Sequence, residues 1–166
     1  MRSSLVIISL LLLGQLSCSN DDIDNSPTPD PSIPASFNDD PSISTLNGVW
    51  KVYSFENLTA NTIEYKTLKN SGGQDIIVEF DDTKDPNSFS GIKTTNSFGG
   101  EFDYASSRQF KLKGVVSTLA GQPAWDDEFD KLVGYGLYKE VTFIINDEML
   151  RIYYSYNTKS VTLIKE

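Results

Sequence analysis

Glu79, Glu101, Asp103, Asp126 and Glu128 are the side chains with most to offer a reaction. Two carboxylates cleave a glycosidic bond when they face each other roughly 5–9 Å apart across a cleft. The order of residues does not set that separation, and solvated strand or helix faces explain the same five positions. Composition excludes other chemistries. The 166 residues hold no histidine and one cysteine, Cys18. Neither a Ser-His-Asp nor a Cys-His arrangement can form, and zinc held by imidazole or paired thiolates is ruled out. Asp81-Asp82-Thr83-Lys84-Asp85-Pro86-Asn87 offers oxygen donors of the kind calcium takes, but lacks the glycine and glutamate that an EF-hand loop places sixth and twelfth. It reads as a turn whose residues bond their own backbone or fix φ. Gly72-Gly73 and Gly99-Gly100 lack the spacing and lysine of a phosphate loop. No catalytic residue, metal or cofactor is therefore expected.

Aromatic side chains are the other resource. Tyr135, Tyr138, Tyr153, Tyr154 and Tyr156 gather toward the C-terminal end. On an exposed face they would offer apolar area and hydroxyls to a protein or glycan partner; turned inward they would pack across strands. Trp50 and Trp125 are expected in the core.

These residues need elements to position them, and period-2 alternation dominates after residue 48. Strands are expected at 49–55, 76–80 and 88–94. Two more flank a turn at Ser106-Ser107, and a three-strand meander occupies 141–145, 150–154 and 161–164. Residues 123–134 break the pattern. Trp125, Phe129, Leu132 and Val133 fall on one helical stripe, with Pro123 at the start, acidic residues in the first turn and Gly134 as the stop. One helix against a partly closed antiparallel sheet is an α+β domain. Thr95-Asn96-Ser97-Phe98-Gly99-Gly100-Glu101-Phe102 is expected to hold a tight reversal between strands 88–94 and 101–106. Asn and Gly would supply left-handed backbone there, and Phe98 and Phe102 would pack inward.

The first 43 residues have another character. Arg2 precedes an apolar run over residues 5–13, too short to span a bilayer as a helix, so residues 1–17 read as a secretory signal peptide. Residues 18–43 carry five of the seven prolines, six aspartates and no lysine or arginine, the composition of an extended tether. Six of 23 acidic and one of 14 basic residues precede residue 44, so the folded part is near −4 rather than −9. Without a basic patch, nucleic acid is not an expected partner.

Ser17-Cys18 after the apolar run resembles the lipobox of bacterial lipoproteins, with Gln15 departing from the usual aliphatic residue. That resemblance implies that Cys18 is lipidated and becomes the mature N-terminus, anchored in the outer membrane. Ser19-Asn20-Asp21-Asp22-Ile23-Asp24 is similar to the export tag of Bacteroidetes lipoproteins, implying surface exposure; the alternative is an acidic stretch that only solubilises the tether.

Residues 44–166 resemble the META-domain (HslJ-like) family. Gly48-Val49-Trp50 matches its opening Gly-x-Trp strand. Asn96, Phe98, Gly100 and Phe102 match the family's asparagine, aromatic, glycine and aromatic places. Ser117, Thr118 and Pro123 match its Ser-Thr segment before an acidic helix. Thr95 and Gln122 stand at the two cysteine places, so a cysteine-dependent role is not carried over. The resemblance implies a fold, an envelope location and a link to stress tolerance, with no agreed enzymatic activity. Gly48-Val49-Trp50 also resembles lipocalin-like domains, which hold a small apolar ligand in a barrel. There the helix follows eight continuous strands, whereas here three strands follow the helix.

Overall fold

Apolar side chains at alternate positions build the sheet. The computed structural model describes residues 38–118 and 120–166. Its first strand, β1 (Gly48–Asn57), turns Trp50, Val52 and then Phe55 inward. The change from even to odd positions follows a register shift between Val52 and Ser54, because one extra residue moves all later side chains to the other face. β2 (Thr62–Tyr65) and β3 (Ile77–Asp81) pair with successive halves of the same edge of β1. Between them lies the one-turn helix α1 (Leu68–Ser71), started by a capping box between Thr67 and Asn70. β4 (Ser88–Ile92), β5 (Ser97–Ser106) and β6 (Gln109–Ser117) follow as a meander. After α2 (Ala124–Tyr138) come β7 (Val141–Ile145), β8 (Met149–Tyr154) and β9 (Lys159–Lys165).

β9 then pairs along β1, from Trp50 opposite Lys165 to Asn57 opposite Lys159. Eight strands thereby close into an antiparallel barrel, with β2 added outside the ring. The α+β class and antiparallel sheet match expectation, and closure is complete rather than partial. The interior is aromatic. Phe80, Phe102 and Phe110 meet edge to face at 5.5–6.0 Å, and Trp125 stands edge-on to Phe55 at 4.6 Å. Burying such a side chain stabilises the fold by roughly 1.5–3 kcal/mol.

The thinnest seam is between β6 and β7, where only Gln109–Thr142 and Phe110–Val141 pair among the described residues. α2 packs against β6 and buries Trp125, Phe129 and Leu132. It runs past the expected stop at Gly134. That glycine faces open space, where it costs the helix about 1 kcal/mol relative to alanine but does not end it. Gly136 is needed for contact instead, since a Cβ there would lie 3.0 Å from Leu112.

The turn expected within 95–102 also differs. The reversal is Lys93-Thr94-Thr95-Asn96, closed by Lys93 N–H donating to Asn96 O at 2.6 Å. Gly99 and Gly100 lie inside β5, and neither they nor Asn96 have positive φ. Space is what they provide. A Cβ on Gly100 would sit 2.7 Å from the Lys113 carbonyl oxygen and 3.0 Å from the Phe89 ring. The left-handed residue is across the ladder, at Gly114 (φ 55°), where β6 bulges against β5. Phe98 and Phe102 pack inward as expected.

The barrel body reaches back before residue 44. Ile145 N–H donates to Asp39 Oδ1 at 3.0 Å, and Asp40 N–H donates to Ile145 O at 2.7 Å. Arg108 holds the same segment through the Asp39 carboxylate and the Asp40 carbonyl. Residues 38–43 of the expected tether are thus docked at the end of the barrel marked by the β5–β6 and β7–β8 turns. The expected signal peptide, Cys18 and residues 19–37 lie outside the described residues.

Candidate functional site

Three places on the barrel were open to function, and the interior is the first. An eight-stranded antiparallel barrel is an architecture that also houses small ligands, but aromatic side chains fill this one. An interior cavity among the described residues is about 20 Å³, bounded by Phe80, Phe110, Leu112, Phe129 and Val141. That is about one water, against several hundred Å³ for a typical ligand pocket.

The second place gathers most of the family-motif residues. Asn96 is buried at the β4–β5 turn. Its Oδ1 accepts from Ala120 N–H at 2.8 Å and Thr118 Oγ1 at 3.2 Å. Its Nδ2 lies within reach of Thr95 Oγ1 at 3.2 Å and Gln122 Oε1 at 3.4 Å. Thr95 and Gln122, the two cysteine places of the resemblance, are thus joined through one amide. Lys93, 5% exposed, extends the knot by donating to both oxygens of Asp130 at 2.7 and 2.8 Å. Asp126, fully buried, accepts from Thr94 Oγ1 at 2.7 Å. Pro123 begins α2 without a side-chain cap. These groups pin α2 to the barrel. Beside the knot, Phe98, Gly100, Ser117 and Thr118 border a shallow groove of about 350 Å³, floored by glycine and walled by Val116. Trp50 is far from it in the ladder, in the core, where its indole N–H donates to Leu46 O at 2.8 Å.

The third place is a cleft of about 220 Å³ between the β1–β2 hairpin and α2, lined by Phe55, Glu56, Asn57, Glu64, Glu128 and Lys159. Glu128 is the one carboxylate of the original five that reaches it. Lys159 Nζ at 2.6 Å and the Tyr154 hydroxyl at 3.0 Å donate to its Oε1, and Lys131 holds Oε2. Burial pushes the Glu128 carboxyl up, but these three donors outweigh burial and hold it below its ordinary value. Burial, reinforced by the Glu128 charge, raises the Tyr154 hydroxyl far above the usual phenol range. Glu56 accepts from Thr162 Oγ1 at 3.0 Å and Ser160 Oγ at 3.2 Å, and pairs with Arg151 at 3.1 Å.

The other carboxylates do not converge. Glu79 is exposed on β3, and Glu101 and Asp103 are exposed on β5, Asp103 pairing with Lys113 across the ladder. Asp81 closes the β3–β4 hairpin by accepting from Thr83 N–H and Oγ1 at 3.1 and 2.6 Å. The tyrosines divide between both expected fates. Tyr154 is core and Tyr153 partly buried, whereas Tyr138 and Tyr156 are 79% and 78% exposed. Tyr135 lies edge-on to Tyr156 at 5.7 Å. Sequence reasoning missed Glu56, Glu64 and Lys159, because they meet Glu128 only through the β1–β9 closure and the β1–β2 hairpin. Glu56 follows the bulge that interrupts alternation in β1, and that break was the one visible signal.

No protein-family model matches the chain, and no curated protein matches it. Solved structures do. An NMR structure of a protein from Burkholderia xenovorans superposes with a TM-score of 0.59 at 13% identity, covering 84% of this chain and 97% of that one. A further NMR structure gives a TM-score of 0.49 at 15% identity, covering 76% of this chain and 94% of that one. The first likeness is one of fold. It places the closed barrel with its inserted helix in a second protein and carries no activity with it.

Proposed function

We propose that this chain is a non-enzymatic lipoprotein of the outer membrane, anchored through Cys18, whose META-like barrel serves envelope stress tolerance by holding a partner at the cell envelope. The observation that carries this reading is directional. The chain enters the barrel beside the β5–β6 and β7–β8 turns, whereas the cleft opens at Asn57 and Lys159, at the opposite ends of β1 and β9. A barrel held by its N-terminal tether therefore turns the cleft away from the anchor. The state of Glu128 agrees with binding rather than proton transfer, since three fixed donors keep it ionised where a general acid needs a raised value. The shared amide contact of Thr95 and Gln122 supports the META-like reading. Lipocalin-like binding of a small apolar ligand is the alternative. It has the barrel architecture in its favour and needs α2 to lift off a filled interior.

Labelling cells with a palmitate analogue tests the anchor. The wild-type chain is expected to incorporate label and Cys18→Ser to incorporate none. Equal labelling of both would overturn the anchoring.

A further inference from the structure

The β8–β9 turn holds three consecutive residues with positive φ, Ser155 (50°), Tyr156 (58°) and Asn157 (61°). Glycine would take these angles without steric cost, yet a tyrosine stands at the centre. Its ring is 78% exposed and contributes little burial of its own. What it gains is position. Tyr156 N–H donates to the Tyr135 hydroxyl at 3.1 Å and the two rings stand at 82°. Tyr138 is one helical turn further along α2 and equally bare.

This aromatic rim adjoins the cleft. Tyr135 follows Glu128 by seven residues on α2, two turns or about 10 Å along one helix face. Tyr156 precedes Lys159 by three, and Leu58 N–H donates to Thr158 O at 2.9 Å, closing the turn against the β1–β2 hairpin. The cleft's charges are largely paired. Glu56 pairs with Arg151, Glu128 pairs with both Lys131 and Lys159, and Glu64 lies in the field of Lys131. Asp127 stands beside Lys131 as well, so four carboxylates against three cations disfavour an anionic ligand, while the paired groups retain lone pairs and N–H bonds for neutral hydroxyls. The bare Tyr156 and Tyr138 rings, with the half-buried Tyr135 edge-on to Tyr156, offer an apolar face, and the polar cleft offers fixed donors and acceptors.

We infer that the Tyr135–Tyr156 rim and the Glu128–Lys159 cleft form one binding site for a neutral sugar chain. Pyranose rings present C–H faces to stack on tyrosine and hydroxyls to meet the cleft. The span from cleft to rim suits a chain better than a single ring. This inference deepens the proposed partner-holding role and rests on it.

The test uses the full mature protein in a sugar-free zwitterionic detergent, titrated calorimetrically with cellotetraose, chitotetraose, maltotetraose and mannotetraose. At least one should bind saturably, with spermidine and palmitate giving no heat. Tyr156→Gly should weaken that binding at least tenfold while raising the melting temperature by about 2–4 °C, because the strained angle is relieved. A merely structural tyrosine would lower the melting temperature and leave affinity alone, which overturns the inference. So does failure of all four sugars, or tighter binding of spermidine or palmitate. Lipid on Cys18, read by mass on the same sample, separates failure of the sugar site from failure of the anchoring.

Discussion

Replacing Gly100 with alanine puts a methyl group where the barrel wall has no room. The added carbon would lie 2.7 Å from the Lys113 carbonyl oxygen and 3.0 and 3.2 Å from two Phe89 ring atoms. The ring can rotate away, but the carbonyl belongs to β6 beside its bulge and moves only with the ladder. Overpacking of this kind costs about 1–3 kcal/mol, and the backbone contact points to the upper half of that range. For a body of this size each kcal/mol lowers the melting temperature by about 3–5 °C, so Gly100→Ala should melt roughly 6–15 °C below wild type. Differential scanning calorimetry on the full chain reads this directly. Gly134→Ala, at a helical position with open space, should instead gain about 0.5–1 kcal/mol. Gly100→Asn separates the two explanations for this glycine. Left-handed backbone would tolerate asparagine, whereas a packing limit makes it worse than alanine. If Gly100→Asn melts with wild type while Gly100→Ala melts lower, the packing explanation is refuted.

Asp130→Asn should destabilise by about 2 kcal/mol in urea unfolding, less than for a fully buried pair because the Asp130 side chain is 40% exposed. Lys93→Met removes the buried charge along with the pair and should cost less than Asp130→Asn; an Asp130→Asn variant as stable as wild type would refute the pinning role of Lys93. Glu128 sets an acid dependence. Its folded value lies below the ordinary 4.5, so its stabilisation is complete above that pH and drains as pH falls through the folded value. Glu128→Gln should therefore show a smaller loss of urea midpoint than wild type between about pH 6 and about pH 3, and parallel losses would contradict it.

Local signals in the sequence were reliable wherever one face decides the element. Trp125, Phe129 and Leu132 marked α2 because a helix that buries one stripe must repeat it every three to four residues. Phe102 with Tyr104, and Phe110 with Leu112, marked β5 and β6 by the same logic at period two. The end of α2 was hidden because a glycine in open space and a glycine against Leu112 look alike in sequence. Gly99 and Gly100 were misassigned to a turn for a related reason, since glycine serves both positive φ and close approach. β2 and α1 gave little warning, as Thr62–Tyr65 is mostly exposed. Apart from the break of alternation in β1, the cleft was beyond reach. Glu56 and Lys159 become neighbours of Glu128 only when β9 returns to β1, a pairing across about a hundred residues that no local pattern encodes.

Intact mass spectrometry of the native protein, extracted with detergent from whole cells, tests the proposed anchoring most directly. The mass should equal that of the chain from Cys18 onward plus a diacylglyceryl group and any further acyl chain. A chain starting elsewhere, or one starting at Cys18 with an unmodified thiol, would contradict the anchoring and leave the orientation of the cleft without a membrane to face away from.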